Sequence, residues 1–72
     1  MGEVYYKLYL CIDYVPETKI KCETLEQVEY ELNKAVGYNY YIVVEHNIIN
    51  NSDFPVAQGE IELNRTRYRK GR

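Results

Sequence analysis

Two stretches of this chain alternate in character from one residue to the next, and a helical segment with its own start signal lies between them. In the first, Val4, Tyr6, Leu8, Leu10, Ile12 and Tyr14 share one parity, and Glu3, Tyr5, Lys7, Tyr9, Cys11 and Asp13 share the other. Successive side chains of an extended strand point to opposite faces, so this period predicts a long strand with one fully apolar face. The second stretch, Tyr38–Ile49, puts Tyr40, Ile42, Val44, His46 and Ile48 on one face and Tyr41, Val43, Glu45 and Asn47 on the other. Its density of Tyr, Ile and Val again predicts a strand. In both stretches the second face is partly apolar as well.

Between them, Thr24-Leu25-Glu26-Gln27 fits a capping box, in which the threonine hydroxyl takes an amide of the first turn and the glutamine reaches back. Leu25, Val28, Leu32, Ala35 and Val36 recur at three- and four-residue spacing and form one apolar stripe. Glu26 suits the positive end of the helix dipole, and Gly37 is placed to stop the helix. A helix over 25–36 is expected.

Turn chemistry divides the rest. Pro16-Glu17-Thr18 predicts a turn into a short return strand, Lys19–Cys22, and Asn50-Asn51-Ser52-Asp53 predicts another turn. Phe54-Pro55-Val56 starts a return strand or anchors a loop. Glu60–Tyr68 alternates Ile61, Leu63 and Arg65 against Glu60, Glu62 and Asn64, with Gly59 open to a bulge at its start. The order β-β-α-β-β implies an α+β fold: a small antiparallel sheet of three to four strands packed by a single helix. Leu8, Leu10, Ile12, Leu25, Val28, Leu32, Ile42, Val44, Ile61 and Leu63 are the expected core.

With 72 residues the chain has room for one domain, expected over 1–64, with a basic strand end or tail over 65–72. That division is electrostatic. Residues 65–72, RTRYRKGR, hold five of the nine Lys and Arg residues and no acid. The preceding 64 residues hold four bases and all eleven acids, a formal charge of −7. Cys11 and Cys22 are too few for a disulfide scaffold, so two free thiols in a reducing cytoplasm are expected. No apolar run approaches the length of a membrane span, and no basic region precedes the apolar start.

The signals of catalysis are missing from the sequence. His46 alternates with Tyr40, Ile42, Val44 and Ile48, which suits a structural histidine at a strand end. No close pair of cysteines anchors a zinc site, and the glycines, at 2, 37, 59 and 71, form no phosphate loop. The expectation is a chain with no enzymatic activity, cofactor or metal. In general character it is similar to small accessory proteins of phages and other mobile elements.

Nine tyrosines, with one Phe and no Trp, direct attention to surfaces. Tyrosine buries a ring while its hydroxyl stays in water, which suits interfaces. A protein partner is expected on an acidic, tyrosine-rich surface comprising Tyr38, Tyr40, Tyr41, Glu26 and Glu29. Occupying a basic groove of a larger protein there would modulate or inhibit it. Tyr5, Tyr9 and Val43, together with Tyr41, are expected to make a self-association patch in a homodimer. The alternative is nucleic-acid binding by the tail, with Arg65, Arg67, Arg69 and Lys70 on phosphates and Tyr68 stacked on a base.

Overall fold

A computed structural model describes residues 3–61. The order is β1 (Val4–Ile12), β2 (Val15–Cys22), α1 (Leu25–Lys34), β3 (Tyr40–Asn47) and β4 (Ser52–Glu60). The strands form one antiparallel sheet in the order β2-β1-β3-β4, so the two long alternating segments are its central pair. The β-β-α-β-β architecture expected from the alternation and the helix signals is the one observed.

The helix begins where its capping box predicts. The Gln27 amide donates to Thr24 Oγ1 at 3.1 Å, and Gln27 Oε1 accepts from the Glu23 amide at 2.8 Å. It ends two residues earlier than its apolar stripe suggested. Ala35 turns to extended backbone, its amide held by the Leu32 carbonyl, and Gly37 completes the exit at φ +91°. That left-handed conformation is open to glycine without strain.

The first hairpin turns sooner than Pro16-Glu17-Thr18 suggested. Asp13 and Tyr14 form its two-residue loop at φ 53° and 70°, the double positive φ of a tight type I′ hairpin. Asn39 fastens the loop, accepting from the Asp13 amide at 2.9 Å and donating to the Asp13 carboxylate at 3.1 Å. The return strand is therefore eight residues long. In the second hairpin the chain turns over residues 48–51, and Ser52 and Asp53 already belong to β4. β4 is the return strand that Phe54-Pro55-Val56 allowed, and the further strand expected over Glu60–Tyr68, with Leu63, falls almost wholly outside the described residues.

Each edge strand carries a proline beside a skipped residue. Leu10 pairs with Thr18 and Cys11 with Pro16, which leaves Glu17 as a bulge. Val43 pairs with Ala57 and Val44 with Pro55, which leaves Val56 as another. Gly59, expected to admit a bulge, has a different task. A Cβ there would sit 3.2 Å from the Tyr41 ring, so glycine lets that ring lie across the strand.

The core lies between α1 and the sheet: Leu8, Leu10, Cys22, Val28, Ala35, Val43 and Ile61 are buried, with Leu32, Tyr38 and Tyr41 packed against them. Ile42 and Val44 were expected here and are not. Leu8 pairs with Val43 and Leu10 with Tyr41, so the odd-numbered residues of β3 face the helix. Both parities of β3 are apolar, and pairing with β1 rather than periodicity decides between them. Ile12 and Leu25, also expected inside, are substantially exposed.

Cys11 is fully buried yet stands outside that core cluster, opposite Tyr40 on the face away from the helix. Cys22 is in the core. Both thiols are free, and burial raises the pKa of each.

Leu8→Ala is expected to cost about 2–5 kcal/mol, with half-exposed Leu32→Ala toward the lower end. Thr24→Ala should cost about 1 kcal/mol through loss of the cap. Urea unfolding followed by circular dichroism measures all three.

Candidate functional site

A single helix leaves much of this sheet bare. α1 packs chiefly over β1 and β2, and although Val43 of β3 is buried in the core, the β4 side of this face is more exposed. The result is a groove of ≈ 500 Å³ between α1 and the outer half of the sheet. Its floor and walls are Tyr6, Leu25, Val28, Leu32, Tyr41, Val43, Val56 and Ala57, with Glu29 and Glu45 at the rim. Sharing Tyr6 and Leu25, it continues into a hollow of ≈ 530 Å³ bounded by Glu3, Glu23 and Glu26. Leu25 is 56% exposed and Val56 43% because they line this opening. An apolar trough with five carboxylates along it suits an apolar-anchored, positively charged chain.

The opposite face of the sheet has different chemistry. The ladder places Tyr5, Lys7 and Tyr9 of β1, Lys19 and Lys21 of β2, and Tyr40, Ile42, Val44 and His46 of β3 on it. At one end, His46 Nδ1 lies 2.6 Å from Asp53 Oδ1, and Lys7 Nζ donates to Asp53 Oδ2 at 3.3 Å. The hydrogen bond from His46 chiefly, with help from Lys7, holds the Asp53 carboxyl below its ordinary pKa. The same contact raises Lys7. Tyr5 packs on His46, ring centroids 4.9 Å apart, and Lys21 sits over the Tyr5 ring. At the other end Tyr14 packs on Tyr40 at 4.7 Å.

The structure divides the tyrosine-rich surface expected from the sequence. Tyr41 and Glu29 meet in the groove, and Glu26 lines its continuation. Tyr40 lies on the open face, and the Tyr38 hydroxyl is tied to Thr18 Oγ1 at 2.7 Å beside the core. The expected self-association patch is split too. Tyr5 and Tyr9 are on the open face, whereas Val43 is 2% exposed beneath the helix and Tyr41 shares its side. The cause is the same parity ambiguity that misplaced Ile42 and Val44. Arg65, Arg67, Tyr68, Arg69 and Lys70 lie outside the described residues.

The sequence reading missed Leu25, Glu45, Val56 and Ala57 as groove residues. It also missed the sharing of one face by Lys7, Lys19 and Lys21. For the lysines a signal existed, since Lys7 has the parity of Tyr5 and Tyr9, and Lys19 that of Lys21. Among the described residues no three His, Cys, Asp or Glu side chains gather in a way that could hold a metal. No described helix is long and apolar enough to cross a membrane. Comparison with family models, curated proteins and solved structures returns no match.

The Asp53 node sets a pH dependence. Its folded pKa is depressed, so its contribution is full above the unfolded value of about 3.9 and is lost as pH falls through the lower folded value. Asp53→Asn should be less stable than the parent near neutrality, and the difference should vanish in strong acid. Thermal melts of the pair across that range measure it.

Proposed function

We propose that this chain is a small non-catalytic protein-binding module whose ligand is an extended, basic segment of a larger protein, held in the groove between α1 and β3–β4. One observation carries the reading: an apolar trough between α1 and the outer strands, with carboxylates of Glu3, Glu23, Glu26, Glu29 and Glu45 along it. Apolar side chains of the ligand would displace water from Leu25 and Val56, while its Lys and Arg residues would meet the rim. Covering a basic segment in this way would modulate or inhibit the partner. A cytoplasmic setting fits two buried free thiols.

A homodimer is the second arrangement to consider. It cannot use Tyr5, Tyr9 and Val43 as one patch, because the sheet lies between them. Three lysines oppose face-to-face contact of identical open faces. Proline and bulge together oppose edge-to-edge pairing. Exposed Phe54 and Val56 on β4 leave side-chain packing, rather than strand pairing, as the contact a second copy would make there. Light scattering at micromolar concentration distinguishes a dimer from a monomer of 8.6 kDa.

The test of the groove uses two labelled peptides, one alternating Leu with Arg and one alternating Leu with Glu. The basic peptide should bind, with affinity falling at least about tenfold in Glu29→Lys/Glu45→Lys, the loss of roughly 1.4 kcal/mol. Equal binding of the two peptides, or an unchanged affinity in the variant, overturns the reading.

A further inference from the structure

Charge in this fold is sorted by the sheet. Of the four lysines among the described residues, Lys7, Lys19 and Lys21 lie on the open face and only Lys34 is on the helix. The glutamates at 23, 26, 29 and 31 belong to the helix side. The open face has two acids by register, Asp53 and Glu60, with the bulged Glu17 at its β2 edge, and Asp53 is already paired with Lys7 and His46. Tyrosines are interleaved with these lysines: Tyr5 and Tyr9 flank Lys7 on β1, and Tyr40 lies across the ladder beside Tyr14.

We infer that this face is a binding platform for single-stranded nucleic acid, a second site independent of the groove. Half-exposed tyrosine rings on a four-stranded antiparallel sheet offer surfaces on which unpaired bases stack, and every base has such a face. Tyr5 and Tyr9 are four residues apart on one strand, roughly 13 Å, which leaves room for about two to three bases. Lys19 and Lys21, exposed on the neighbouring β2, are placed for the phosphates running beside them. Lys21 rests over Tyr5 with its ammonium 4.5 Å from the ring centroid. An exposed contact of that kind is weak enough for the lysine to turn toward a phosphate.

The overall charge of −2 does not prevent this. Exposed charges interact weakly beyond a Debye length of about 8 Å at physiological salt, and the helix layer stands about 10 Å from the sheet. A strand on the open face therefore meets chiefly the charges beside it.

The test uses the full chain with labelled twelve-nucleotide oligo-U and oligo-dT and a hairpin duplex, followed by anisotropy at about 50 and about 200 mM salt. Both single strands should bind better than the duplex, and more weakly as salt rises. A preference between them tells RNA from DNA as the natural ligand. Tyr9→Leu keeps an apolar group on the strand and should weaken binding ~5- to 150-fold. Lys19→Glu/Lys21→Glu, at exposed positions, should lower the salt slope by at least ~1.4. Glu29→Lys/Glu45→Lys should retain oligonucleotide binding, which separates this site from the groove. Circular dichroism checks that each variant is folded. Absence of binding, equal affinity for duplex, or full affinity in both open-face variants overturns the inference. So does binding that depends on residues 62–72 alone.

Discussion

One helix cannot cover four strands, and most of what is distinctive in this molecule follows from that mismatch. An α-helix with its side chains is about 10–12 Å across. The outer strands of a four-stranded sheet are about 14 Å apart between axes, with side chains reaching beyond. The short link Glu23-Thr24 starts α1 directly after β2, so the helix settles over β2 and β1. The well-packed core is consequently confined to half of one face. Groove and open face are the two surfaces left over, and they differ because the helix brings its acids to only one of them.

The elements with local signals were legible in the sequence. Thr24 and Gln27 fixed the start of the helix, and alternation identified the central strands. What alternation could not settle was which parity of Tyr38–Ile49 turns inward, since Tyr40, Ile42 and Val44 are as apolar as Tyr41 and Val43. Pairing with β1 makes that choice, and pairing is a long-range fact that no window of sequence contains. The hairpin at Asp13-Tyr14 was hidden for another reason. Tyrosine is a rare occupant of a left-handed turn position, and the stabilising partners, Asn39 for the loop and Tyr40 for the ring, are more than twenty residues away. Of the candidate site, Glu26, Glu29 and Tyr41 could be named from sequence. Their meeting could not, because it depends on which strands the helix packs across.

The charge of residues 1–64 against that of 65–72 suggested a negative body with a positive tail. The fold shows that the body is itself polar across its thickness. Period-two alternation produces this directly: a lysine placed between two open-face tyrosines must emerge with them. A sheet covered on one side thus separates the three strand lysines from the run of helix glutamates, Glu23 to Glu31.

The two cysteines have a consequence of another kind. Cys22 pairs across from Tyr6, five residues along β1 from Cys11, and the two thiols are on opposite sides of the sheet. Roughly 17 Å of strand separates them, far beyond the about 7 Å that a disulfide can span between Cα atoms. No bridge can close within one folded molecule, so an oxidising environment cannot tighten this fold. Each thiol is sealed by a different layer, one by the helix and one on the tyrosine side. A thiol reagent would therefore time two separate events, the lifting of the helix from the sheet and the opening of the far face, in a protein carrying its own pair of clocks.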